Sequence, residues 1–77
     1  MTIRVLFFGR LKDYIGKDTL FFDSIEDTES LRKTLVDRFP RLRREIFSIA
    51  LNQEIVHGNE KLSDGDEIAL LPPVAGG

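Results

Sequence analysis

A chain of 77 residues is long enough for one domain and one small core; at this size roughly 60% of the unfolded surface is buried on folding. Eleven basic and thirteen acidic side chains leave a net charge of −2, which speaks against a nucleic-acid partner, because such a partner asks for a clearly basic face. There is no cysteine, so disulfides, thiolate metal sites and a catalytic thiol are all excluded.

The first residues carry Arg4 inside a strand-like run instead of a charged segment followed by a long apolar one. The expectation is no signal peptide, no membrane span and a cytoplasmic protein. In residues 2–8, TIRVLFF, the alternation places Ile3, Val5 and Phe7 on one face of a strand and Leu6 and Phe8 on the other. Residues 9–17 lie between Gly9 and Gly16, and the spacing of Leu11 and Ile15 predicts a short helical turn. Residues 18–23, DTLFFD, read as a second strand, antiparallel to the first; the pattern leaves open whether Phe21 or Phe22 faces the core.

Residues 28–39 are the main helix. Asp27 or Thr28 can supply its N-cap, and Asp23, Glu26, Asp27 and Glu29 gather at the end where the helix dipole favours negative charge. Leu31, Leu35, Val36 and Phe39 form one apolar stripe, and Phe39 is followed by Pro40, where the helix stops. Leu42 and Ile46 suggest one more helical turn before Phe47. SIAL at 48–51 reads as a short buried strand, continued by a strand end and a turn-rich loop with a turn at Gly58-Asn59. SDGD at 63–66 is a turn signal, and residues 66–71 form the last strand, with Ile68 and Leu70 on one face and Glu67, Ala69 and Leu71 on the other.

This order predicts an α+β fold: a mixed sheet with one main helix packed on one face. No second long helix covers the other face, which then presents Leu6, Phe8 and Leu71 to solvent or to a partner. Residues 1–71 make up the domain and 72–77 a flexible tail. Within that tail, Pro72-Pro73 fixes φ and favours an extended exit, and Gly76 and Gly77 have no Cβ, which suits a narrow channel. Six residues from Pro72 onward reach about 20 Å when extended.

Other groups have simpler accounts. Arg38, Arg41, Arg43 and Arg44 complement the helix C-terminus and face solvent, or pair with acidic residues of a partner. His57 is a turn residue without ligand partners, and Asp64, Asp66 and Glu67 serve turn chemistry and not calcium. No triad, phosphate loop, metal site or carboxylate pair supports catalysis within the chain.

The segments IRVLFFGRLKDYIG, ESLRKTLVDRFP, ALNQEIV and LSDGDEIALLPPVAGG resemble the small subunits of molybdopterin synthase, a family of ubiquitin-like β-grasp sulfur carriers. The resemblance covers essentially the whole chain, and DGDEIALLPPVAGG is its most specific element. It implies that the Gly77 carboxylate is adenylated by an E1-like, ATP-using adenylyltransferase and then converted by a sulfur donor system to a thiocarboxylate. It implies further that the tail, Pro72, Pro73, Val74, Ala75 and Gly76 included, enters the synthase large subunit, where sulfur passes to a pterin precursor in molybdenum cofactor biosynthesis. The chain itself binds no cofactor in this scheme and is not catalytic alone; ATP belongs to the activating enzyme. The family's docking surface maps onto Phe8, Ile55 and Leu71, with Leu6 beside them. Two other readings use the same fold: the sulfur carriers of thiamine synthesis, which tend to lack both the LKDYIG stretch and the Pro-Pro, and ubiquitin-like protein modifiers of the archaeal type. An interaction module with an inert tail is the plainest alternative.

Overall fold

The computed structural model describes residues 1–73. In chain order the elements are β1 (Thr2–Phe7), α1 (Arg10–Ile15), β2 (Thr19–Asp23), α2 (Thr28–Arg38), a 3₁₀ turn (Pro40–Arg44), β3 (Ser48–Leu51), β4 (Glu54–Ile55) and β5 (Glu67–Leu71). The strands form one sheet in the order β2-β1-β5-β3-β4. The central pair β1–β5 is parallel and every other pair is antiparallel. A mixed sheet grasping one helix is the β-grasp arrangement.

Strand alternation decides which side is core. Ile3, Val5 and Phe7 of β1 and Ile68 and Leu70 of β5 are buried, facing Leu31 and Leu35 of α2. The stripe therefore does what its period requires, and Leu11 and Leu42 close the core from α1 and the 3₁₀ turn. The Phe21/Phe22 ambiguity resolves through the register: Phe22 pairs with Ile3 and is buried, whereas Phe21 pairs with Arg4 and lies on the opposite face.

The N-cap of α2 is Asp27, whose carboxylate accepts a 2.8 Å hydrogen bond from the Ser30 N–H. That bond favours the charged form and holds the Asp27 carboxyl below its ordinary value. Thr28 is instead the first helical residue, buried, with its hydroxyl accepting from the Glu60 N–H at 3.0 Å. Asn59 accepts from the Glu29 N–H at 3.0 Å, so the 58–60 loop supplies a second cap from a distance.

Three expectations are corrected. The helix ends at Arg38, with Phe39 as its C-cap in a non-helical conformation, because a residue before proline is pushed out of the α region. Ile46 takes no part in a helical turn: Pro40 starts a 3₁₀ turn that closes at Arg44, Glu45 is extended, and Ile46 is 78% exposed. Residues beyond Leu51 do not continue β3. Asn52 and Gln53 both have positive φ, 48° and 74°, and reverse the chain into β4. Two successive left-handed residues match the twist of a tight hairpin. Asn52 fixes that hairpin to β5 by accepting from the Glu67 N–H and donating to the Asp66 carboxylate, both at 3.0 Å. The turn before β5 is as expected: Gly65 has φ 84°, and Asp66 accepts from the Ser63 N–H at 2.7 Å.

Candidate functional site

The sheet face opposite α2 follows from the strand registers. Leu6 of β1 pairs with Ala69 of β5, Ala69 with Ala50 of β3, and Ala50 with Ile55 of β4. These four side chains form one row across the sheet. The alanines keep its middle shallow, and Ala50 is only 5% exposed beneath its neighbours. Next to this row, Leu71 pairs with Ser48 at the end where the tail leaves, and Phe8 follows directly on β1. Phe8 and Ile55 are each close to half exposed, and Leu6 and Leu71 are half-buried. The face is apolar at the tail end; at the other end Arg4 and Glu67 form an ion pair, with Phe21 next to Arg4. All four residues singled out in the sequence, Leu6, Phe8, Ile55 and Leu71, thus lie on one uncovered surface.

The tail root has a built contact. Gly9 has φ 59° and ψ −140°, a region that residues with a Cβ avoid. A Cβ at Gly9 would sit 2.9 Å from Cγ of Pro72, a distance that cannot be held. Gly9 therefore leaves the space in which the Pro72 ring lies, and the end of β1 braces the start of the tail. Pro72 is half-buried and Pro73 is exposed. Val74, Ala75, Gly76 and Gly77, named above as tail and reacting residues, lie outside the described residues.

Sequence reasoning assigned no role to Gly9, Ala50, Ala69 or Phe21. Phe21 is 66% exposed on the same face, at the β2 edge. The glycine lay visible within LFFG, but its partner is sixty-three positions away across the parallel pair, and nothing local announces that contact. Among the described residues no cluster of His, Cys, Asp and Glu could hold a metal ion, and no helix is long and apolar enough to cross a membrane. His57 is exposed in the loop after β4. The open apolar face, continuous with Pro72, is a surface suited to binding a protein.

The chain is 35% identical to the molybdopterin synthase sulfur carrier subunit of Dictyostelium discoideum, covering 96% of this chain and 94% of that protein. Its fold matches that of a chain in the complex of subunits 1 and 2 of the molybdopterin-converting factor from Helicobacter pylori, with a TM-score of 0.78, 35% identity and full coverage of both chains. It also matches the small archaeal modifier protein 1 of Methanosarcina acetivorans, with a TM-score of 0.81 and 29% identity over 99% of this chain and 96% of that one. The ThiS family model matches residues 5–77, and the chain belongs to the ThiS family.

Proposed function

We propose that this chain is the sulfur carrier subunit of a molybdopterin synthase. The observation that carries the reading is an exposed apolar face, Leu6, Phe8, Ile55 and Leu71, continuous with the braced root of a Pro-Pro…Gly-Gly tail. Full-length likeness to proteins of that name, and to a chain solved as subunit 1 in complex with subunit 2, supports it.

In this reading the Gly77 carboxylate attacks the α-phosphorus of ATP on an E1-like adenylyltransferase, and pyrophosphate leaves. The resulting acyl-adenylate carries a good leaving group, which a carboxylate lacks. Sulfide-level sulfur supplied by the donor system attacks the acyl carbon, AMP leaves with the electron pair of the C–O bond, and the chain ends in a thiocarboxylate. The domain then docks on the synthase large subunit through its open face, and the tail presents sulfur to the pterin precursor. With no cysteine in the chain, the main-chain terminus is where sulfur can be carried. Both enzymatic steps belong to partners in the cytoplasm, and this chain binds no cofactor of its own.

Intact mass tests the proposal. Expression with the activating enzyme and a sulfur source should yield a mass gain equal to sulfur replacing oxygen, and deletion of Gly77 should remove the gain while the domain stays folded. An unaltered carboxylate beside a competent activating enzyme contradicts it. The likeness to an archaeal modifier favours a second use of the same activated terminus, isopeptide bonds to lysines of other proteins, and conjugates of higher mass would reveal it. A carrier for thiamine synthesis would instead restore that pathway and leave molybdopterin formation unsupported.

A further inference from the structure

From the side chains around the tail root we infer that Arg41, Arg43 and Arg44, with Ile46 beside them, form a second docking surface, which fits a carboxylate-rich patch on the protein that receives the tail. The inference rests on the carrier reading above. Three links place this cluster next to the tail. Arg10 follows Gly9, the residue that braces Pro72. Arg10 is ion-paired through Nε to Glu45 Oε1 at 2.8 Å, and Glu45 comes directly after Arg44. The chain then needs only three residues to reach Ser48, which pairs with Leu71.

Internal partners leave much of the charge unused. Arg38 lies over the Phe22 and Phe39 rings at 5.7 and 5.5 Å, and Arg10 is spent on Glu45. Arg43 reaches Asp37 only at 4.0 Å with both side chains well exposed, and among the described residues Arg44 has no ion pair. Arg41 lies over the Tyr14 ring with Cζ 4.1 Å from its centroid and is exposed to solvent, a contact that occupies the face of a guanidinium and not its charge. Together with Tyr14, Pro40 and Glu45 these arginines line an open hollow of about 480 Å³. A chain of net charge −2 thus concentrates uncompensated positive charge at the end from which its tail departs.

The chemistry favours a protein carboxylate surface over a phosphate ligand. The hollow contains the Glu45 carboxylate and no glycine-rich loop of backbone N–H groups. Ile46, 78% exposed, follows Glu45 directly in the chain, and Ser48, two residues further, pairs with Leu71 of the apolar face. Apolar anchors beside exposed guanidinium groups are the composition of a protein interface, where rim charges set encounter rate and salt dependence.

The test is the association rate of the full chain with its molybdopterin synthase large subunit, followed by stopped flow across a salt series. Arg43→Glu with Arg44→Glu should slow association about tenfold at low salt and flatten the salt dependence, with dissociation little changed. The neutral pair R43Q and R44Q should give an intermediate loss. Lys33→Glu with Lys61→Glu makes the same change in net charge away from the cluster and should leave the rate within about twofold. An equal loss from the lysine pair, or an unchanged salt slope in the arginine variants, overturns this inference alone. Failure of the unaltered chain to bind the large subunit at all overturns the carrier reading and this inference with it.

Discussion

Gly9 shows how one missing side chain can determine where a tail begins. Its backbone conformation and its closeness to Pro72 both exclude a Cβ. Gly9→Ala should cost about 1–3 kcal/mol from backbone strain, read by denaturant unfolding, and should shift the amide signals of Leu71 and its neighbours. An alanine variant of unchanged stability and unchanged Leu71 signal would show that the brace is not real. Gln53 presents the opposite case. It carries a side chain at φ 74° in the second position of the β3–β4 turn, where glycine is the preferred residue. Gln53→Gly should therefore stabilise the domain by up to about 1 kcal/mol, relief of left-handed strain exceeding the added chain entropy. Asp27 gives a pH signature. Its carboxyl is depressed in the folded state, so its contribution is present above the ordinary carboxylate range and is lost as pH falls through the depressed value. The stability difference between the unaltered chain and D27N should shrink over that acidic window; a difference independent of pH would rule out the cap as its source.

Among the elements, α2 shows why periodicity is informative when it is long. Leu31 and Leu35 are fully buried, as their spacing on one stripe requires. Leu35→Ala should cost about 3 kcal/mol, combining lost transfer energy with a residual cavity. Strands β1 and β5 were equally legible, because alternation assigns each residue to a face without knowledge of the neighbouring strand. What could not be read locally had non-local causes. Phe21 and Phe22 are both apolar, and only pairing with β1 separates them. The Asn52-Gln53 reversal uses two residues that are not the usual turn glycines, so nothing local marks where the strand stops. Ile46 has the spacing of a helical residue, but the proline-started turn closes two residues earlier.

For the molecule as a whole, the sheet divides labour between its faces. One face binds α2 and supplies the stability; the other carries Leu6, Ala69, Ala50 and Ile55 in a row, with Phe8 and Leu71 at the tail root. Phe8→Asp should weaken binding to the large subunit by about thirtyfold or more while thermal unfolding stays nearly unchanged, because the side chain lies outside the core and, in the proposed function, meets the partner. Binding that survives this change would move the docking surface elsewhere. The existence of the face was readable from alternation, but its flatness was not, since it depends on which alanines the register brings together. In the proposed function sulfur leaves from the Gly77 thiocarboxylate. The most direct test of this step is a single turnover: the thiocarboxylated chain is mixed with the large subunit and the pterin precursor, and its intact mass is followed. The expected result is return to the carboxylate mass in step with formation of the sulfur-bearing pterin product. A thiocarboxylate that persists while the product forms would contradict it.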